Sequence, residues 1–389
     1  MDNLEEKKMK IMVLGGDGFC GWPTALELIH NGHEVLIVDN LARRNIDNEL
    51  STQSLTPITD INQRISVANE LVGTLGFVYL DISSQFTEFK DCVSEFRPDT
   101  IVHFAEQRSA PYSMLDADRR IYTTNNNVNG TTNVLNAIIE VNRDIHLVHL
   151  GTMGVYGYND NFGKIPEGYL DITIKSTGYP TEILYPANPG SVYHMTKCLD
   201  QLLFQFYCKN WGLKITDLHQ GIVWGTETKI TKRHDSLSNR FDYDGEFGTV
   251  LNRFLTQAAK GLPLTVYGSG GQRRAFININ DTTKCVRLAI ENHDFERKKV
   301  RIFNQVSEVR GVEELAHIIS DLTGCEVSYV DNPRKELAKN ELFVENAGLR
   351  SLGFEPITLN EGLLDEILQV VTPNLHRMND ANVTSRAKW

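Results

Sequence analysis

Basic charge, paired cysteines and long apolar runs are all scarce in this chain of 389 residues. Thirty-nine Lys and Arg stand against 50 Asp and Glu, a formal net charge of −11. That balance argues against nucleic acid or an anionic membrane as the main ligand. No apolar run reaches the length a bilayer requires, so stable membrane insertion is not expected. The opening MDNLEEKKMK has neither the apolar core of a secretory leader nor the acid-poor character of a transit peptide. The six cysteines, at 20, 92, 198, 208, 285 and 325, include no CxxC pair and no nearby histidine cluster. Free thiols in a reducing compartment, by default the cytoplasm, are expected, with no metal site. Internal repeats and low-complexity tracts are also missing.

Short runs rich in Val, Ile and Leu fill the first half: KIMVLG (10–15), EVLIVD (34–39), GFVYLD (76–81), TIVHFA (100–105) and IHLVHLG (145–151). Unbroken runs of this kind read as strands buried on both faces of a parallel sheet. Helical patterns at 20–32, 85–96 and 128–142 alternate with them, and KITDLHQGIVWG (214–225) supplies a further strand. The expected fold is α/β, a Rossmann-type doubly wound parallel sheet with a smaller mixed α/β substrate-binding lobe. Residues 9–225 are assigned mainly to the sheet domain and 226–373 mainly to the lobe, with some interleaving. A tail follows at 374–389, and residues 372–389 are expected to be loosely held. Residues 40–75 form an unusually long connection, part of it helical at 61–73, and read as a lid or an oligomer contact. Helices are expected at 248–260 and 360–371.

Gly15, Gly18 and Gly21 recur every third residue in VLGGDGFCG, where the first strand passes into the first helix. Glycines there let the backbone turn tightly and approach a pyrophosphate, which the helix N-terminus favours. A lone glycine-rich turn is weak evidence, but Asp39 ends the next strand, where a carboxylate accepts from a ribose diol. That favours NAD over NADP, although Arg43 and Arg44 stand close enough to bind a 2′-phosphate. Asp81-Ile82 suits either an adenine amino group or a helix cap.

Tyr193 and Lys197 lie four residues apart, one helical turn, in SVYHMTKCLD. A neighbouring ammonium lowers a phenol's pKa, making Tyr193 a usable base near neutral pH. By itself this spacing is common chance. Thr152, at the C-terminal end of a strand in HLGTMGVYG (149–157), adds a hydroxyl on the edge where open α/β sheets bind ligands. Together the three suit oxidation of an alcohol by hydride transfer to NAD.

With these motifs, NNVNGT (126–131) and VYG (155–157), the chain resembles the extended short-chain dehydrogenase/reductase family of nucleotide-sugar enzymes over roughly residues 9–373. The resemblance implies a cofactor site built from Gly15, Asp17, Gly18, Phe19, Cys20 and Gly21 in the turn. Asp39, Asn40, Arg43, Arg44, Asp81 and Ile82 would follow at the adenosine end. Ala105, Asn127, Tyr193, Lys197, Gln220 and Val223 would complete it. LTVYGSGGQRRAFININD (264–281) looks like the segment that lines uridine and diphosphate, through Thr265, Tyr267, Gln272 and Arg274, or else a strand and turn with surface arginines. Asn252 and Arg253 would join it, and Arg334 is a second phosphate candidate. A homodimer through two long helices is typical of the family.

HFAEQRSAPYSM (103–114), GTMG (151–154), FDYDGEFGTVLNRF (241–254) and the insertion SLTPI…INQRIS (54–66) narrow the resemblance to the UDP-sulfoquinovose synthases within that family. These join UDP-glucose and sulfite, supplied free or by a delivering protein. Oxidation at C4 of glucose acidifies C5–H, and loss of the C6 hydroxyl then leaves an electrophilic C6 for sulfite. NAD is regenerated when hydride returns to C4. Met153 and Gly154 replace the Asp-Glu pair of ordinary 4,6-dehydratases, which is expected to open space beside C6 for the outside nucleophile. Val155, where family members often carry Glu, removes another acid–base group. His194 is left as the leading candidate for the C5 and C6 protons, with a packed histidine as the plain alternative. Arg108 reads as the sulfite anchor or a structural salt bridge. Gln107, Ser109, Tyr112 and Gln220 are expected to hydrogen-bond the hexose. Thr152 and Tyr193 also touch the sugar in this reading. The rival activities are UDP-glucose 4-epimerisation and, more remotely, a non-catalytic NAD-binding regulator.

Overall fold

The computed structural model describes residues 8–157, 163–292, 298–332, 337–383 and 387. The first half runs β1 (Lys10–Leu14), α1 (Gly21–His30), β2 (Glu34–Asp39), α2 (Ala42–Glu49), α3 (Ile61–Leu71), β3 (Leu75–Tyr79), α4 (Phe86–Phe96), β4 (Thr100–His103), α5 (Ala117–Val141) and β5 (His146–Thr152). After the short β6 (Lys164–Ile165), β7 (Tyr169–Thr173) and β8 (Pro180–Leu184) pair as a hairpin ahead of α6 (Val192–Trp211) and β9 (Lys214–Gln220). The second half holds β10 (Ile222–Trp224), α7 (Val250–Ala259), β11 (Leu264–Tyr267), β12 (Arg273–Asn278), α8 (Ile279–Glu291), β13 (Arg301–Gln305), β14 (Glu308–Gly311), α9 (Val312–Thr323) and β15 (Val327–Val330).

Seven parallel strands form one sheet in the order β13-β9-β5-β4-β1-β2-β3. Successive side chains of a strand point to opposite faces, and both faces of β1 are covered. Ile11 and Val13 meet Trp22 and Leu26 of α1 and Val286 of α8. Met12 and Leu14 meet Phe89 of α4, Val134 and Ile138 of α5, and Phe204 of α6. The doubly wound α/β expectation therefore holds. A three-stranded sheet β10-β12-β14, the pair β11-β15, α7 and α9 form the smaller part around Trp224, Phe254, Phe276 and Leu315.

Several expectations are corrected. Residues 214–225 are two strands, because the chain leaves the large sheet at Gly221 and enters the small one. A Cβ there would lie 2.8 Å from the Ala275 carbonyl oxygen, so only glycine passes. The edge strand β13 comes from residues 226–373, within the interleaving allowed for. Helix α5 begins at Ala117, capped by Asp116, whose side chain accepts from the Arg119 N–H, well before the expected start at 128. The polar stretch ADRRIYTTNNN concealed that first half. Residues 40–75, read as a lid or an oligomer contact, are packed into the fold rather than forming an open lid, since Leu55 and Arg64 are fully buried. The helix expected at 360–371 is broken into short turns that end in a π-helical stretch, Glu366–Val371. The tail is tied down as far as residue 383. Asn382 donates to the Ser51 carbonyl at 2.7 Å and accepts from the Gly245 N–H at 2.7 Å.

Candidate active site

The C-terminal ends of β1, β4, β5 and β9 open onto two adjoining cavities, of about 140 Å³ and 510 Å³. The smaller follows the glycine turn. Gly15 has φ +77°, and a Cβ there would lie 2.7 Å from the Ala105 nitrogen. At Gly21 a Cβ would fall 2.1 Å from the Gly15 carbonyl oxygen. Only glycines build this cradle, and it fits a dinucleotide pyrophosphate at the start of α1. Asp17, Gly18, Phe19 and Cys20 line it too, with Asn40, Ile82, Ala105, Tyr193 and Lys197. Asp39 lies in its wall and accepts from the Asp17 N–H (2.9 Å) and the Leu41 N–H (2.7 Å). Burial and the Asp17 charge raise its carboxyl to about 6.

The two arginines offered for a 2′-phosphate are already engaged. Arg44 chelates Asp17 at 2.6 and 2.8 Å, and Arg43 pairs with Asp47 and Asp242 while its guanidinium covers Phe247 at 3.7 Å. Asp81 turns inward to cap Ser83 (2.9 Å), yet it still lines the cavity with Ile82. Asn127 is corrected. It is fully buried and clamps the Gln107 backbone to Thr196, while its neighbour Asn126 faces the cavity.

Thr152, Met153, Tyr193, His194, Arg108, Gln220 and Val223 all line the larger cavity. The Thr152 hydroxyl accepts from the Gly154 N–H at 3.1 Å. Lys197 Nζ sits 2.9 Å from Glu106 Oε2 and donates to the Leu150 carbonyl at 2.7 Å. Burial raises Tyr193, Lys197 lowers it, Glu106 raises it again, and the balance stands at about 12. Arg108 lines both cavities and pairs with Asp242, which is the salt-bridge half of its two readings.

Asn252, Arg253, Tyr267, Gln272 and Arg274 line the far end of the larger cavity, with the Arg253 guanidinium 4.2 Å from the Tyr267 ring centre. Thr265 is corrected, because its hydroxyl accepts from Gln257 at 2.9 Å and it lies outside the lining. Ser109 lines the cavity but donates to the Glu246 carbonyl. Gln107 lines the smaller cavity and not the larger, and Tyr112 lines neither. Gln107 donates to Thr123 (2.9 Å), and Tyr112 donates to Glu49 of α2 (3.1 Å). Arg334 lies outside the described residues.

Residues 11–304 match the NAD dependent epimerase/dehydratase family. The chain is 43% identical over 387 residues to a chloroplastic UDP-sulfoquinovose synthase of Spinacia oleracea, covering 98% of this chain and 79% of that one. It is 40% identical to a UDP-sulfoquinovose synthase of Sulfolobus acidocaldarius, covering 90% and 88%. The chain belongs to the UDP-sulfoquinovose synthases, within the NAD-dependent epimerase/dehydratase family. Among solved structures, a Thermotoga maritima UDP-glucose 4-epimerase with UDP-glucose superposes with TM-score 0.68 at 23% identity, covering 95% of this chain and 99% of that one. A Bacillus cereus UDP-glucuronic acid 4-epimerase in complex with UDP-glucuronic acid and NAD gives 0.67 at 19%, covering 93% and 100%. These two likenesses concern the fold.

In this UDP-sulfoquinovose synthase family member, the space left by Gly154 is filled. A Cβ there would lie 2.2 Å from His194 Cδ2, so the glycine admits the imidazole rather than an outside nucleophile. His194 Nδ1 lies 3.1 Å from Ser191 Oγ. Val155 is buried with Tyr156, Tyr185 and Cys198 and lies outside the cavity lining, so its loss of a carboxylate takes nothing from the cavity wall. Sequence reasoning missed the 242–248 segment as site wall, where Asp242 and Phe247 line both cavities. It also missed Glu106, whose only sequence signal was EQRSAP itself, and the ionisable groups behind it. No helix among the described residues is long and apolar enough to cross a membrane.

Proposed function

We propose that the protein converts UDP-glucose and sulfite into UDP-6-sulfoquinovose and water. The observation that carries this reading is one cavity wall holding Thr152, Tyr193, His194 and Arg108 together, in a chain of this family. Bound NAD supplies a hydride acceptor that also serves as donor, so C4 is oxidised and later restored. The glycine turn and Asp39 hold the dinucleotide. Tyr193 Oη takes the proton of the C4 hydroxyl while Thr152 Oγ1 orients it. The C4 ketone acidifies C5–H, and His194 removes that proton and protonates the departing C6 hydroxyl. The Arg108 guanidinium holds sulfite, whose sulfur adds at C6 as a proton returns to C5. Gln220 Oε1, buried and without a protein partner among the described residues, is left for a sugar hydroxyl. Arg253, Tyr267, Gln272 and Arg274 take the uridine diphosphate.

Incubation of purified protein with UDP-glucose and isotopically labelled sulfite tests this directly. An acid-stable labelled UDP-sulfosugar is expected. UDP-galactose alone, with no sulfur incorporated, would overturn the reading in favour of an epimerase.

A homodimer is part of the proposal. Ile121 on α5 and Leu202 and Phe206 on α6 are each more than half exposed, an apolar face of the kind subunit contacts cover. The six free cysteines suit a reducing compartment such as the cytoplasm. Free sulfite is the donor in the simplest form, and a delivering protein would dock at the cavity mouth.

A further inference from the structure

Beneath Tyr193 lies a group of ionisable side chains of which His149, Asp200, Asp217 and His219 line neither cavity. His149 Nε2 is 3.0 Å from Lys197 Nζ and 3.0 Å from Glu106 Oε1. Its Nδ1 is 2.8 Å from Asp217 Oδ1, and the other oxygen of Asp217 is 2.9 Å from His219 Nε2. His219 Nδ1 in turn lies 2.6 Å from the Tyr156 hydroxyl. His103 of β4, 3.7 Å from Glu106, and Asp200 of α6, 3.7 Å from His149, close the group. All of these side chains are buried, that of Glu106 included. Glu106, His149 and Asp200 stand close enough to share one cation, and the Lys197 ammonium already lies against the first two.

A lysine ammonium screened by water adapts freely to its surroundings, whereas a buried one acts through whatever neutralises it. Lys197 reaches two fixed acceptors, the Leu150 carbonyl and Glu106, and Glu106 is the only one carrying charge. We propose that Glu106 and His149 are positioning residues for the redox step, fixing the Lys197 ammonium and setting how much of its charge Tyr193 feels. The proposal rests on the reading of Tyr193 as proton acceptor. Titration of the groups agrees with it. Burial and Lys197 push His149 down, but Asp217 and Glu106 lift it to about 9. Burial pulls Glu106 up, and Lys197 and His149 hold it below the usual carboxylate range. Burial and Glu106 raise Asp200 well above the usual carboxylate range, and burial lowers His103 to about 3. Tyr193 is lowered by Lys197 and raised by Glu106.

The test is Glu106→Gln in the NAD-loaded enzyme, with Glu106→Asp as the charge-keeping comparison. Removing the carboxylate lowers Tyr193, so the pH limb of kcat that reports its deprotonation is expected to move down by roughly one unit or more. Glu106→Asp is expected to keep the limb in place while lowering kcat. In parallel, 15N spectra of the histidines are expected to show His149 titrating below its wild-type value in Glu106→Gln. A folded, active Glu106→Gln whose limb is unmoved would overturn the proposal and leave the functional reading intact. Wild-type enzyme that forms no sulfosugar would overturn that reading, and the His149 titration would still decide the network. Should Glu106→Gln fail to fold, Asp217→Asn is expected to lower the His149 titration, and an unchanged value would contradict the proposal.

Discussion

Gly154 and His194 act as one unit. The imidazole stands where any side chain at 154 would be, and Met153 beside it is buried among Tyr156, Cys198 and Val306. The acid–base pair of a dehydratase cannot occupy these positions without expelling His194 from the cavity wall. We therefore expect Gly154→Ala to displace the ring and lower kcat on the order of 100-fold. Bound NAD and the melting temperature should change little, and full activity in that variant would remove His194 from the mechanism. Thr152, Tyr193 and Lys197 were legible in the sequence because a strand end and one helical turn are local features. Glu106, His149 and Asp217 were not. His103, His149 and Asp217 become neighbours only through the lateral register of β4, β5 and β9, and strand order is not written in any one segment. Tyr193 shows the matching limit, since its lysine was visible and the burial that outweighs it was not.

Among the elements, the insertion between β2 and β3 has the largest effect on the cofactor turn. Helix α3 is capped by Asp60, whose side chain accepts from the Asn62 and Gln63 N–H groups, and it delivers Arg64 into the interior. The Arg64 guanidinium lies 3.9 Å from the Trp22 ring centre and pairs with Asp17. From α2, Arg44 reaches the same carboxylate and Asp47 pairs with Arg240. These contacts stitch the glycine turn to the 238–242 segment, which explains why residues 40–75 are clamped rather than lid-like. Arg64→Met leaves Asp17 with one arginine and is expected to lower stability by roughly 3 kcal/mol. It should also speed NAD loss, measured as the nucleotide retained after gel filtration. Retention and melting temperature both equal to wild type would contradict the clamp. The sequence revealed α3 by its apolar spacing. It did not reveal α2, whose ARRNIDNE is almost wholly polar and buries only Ile46.

At the scale of the whole molecule, the two parts of the chain share one site because neither is continuous in sequence. The large sheet takes β13 from the second half, the 242–248 segment walls both cavities, and the C-terminal residues fold back on that segment. The Asn379 N–H donates to the Tyr243 hydroxyl at 2.8 Å, and Val383 reaches the larger cavity. Such a shared site suits a reaction in which C4 is oxidised and restored without release of the sugar. The most direct measurement follows the C4 hydrogen itself. UDP-glucose carrying deuterium at C4 is incubated with the purified protein and sulfite, and the product is weighed and mapped. The account predicts a UDP-sulfosugar that keeps the deuterium at C4, because the same bound NAD takes that hydrogen and returns it. A sulfosugar with C4 deuterium lost, or no sulfosugar at all, would contradict it.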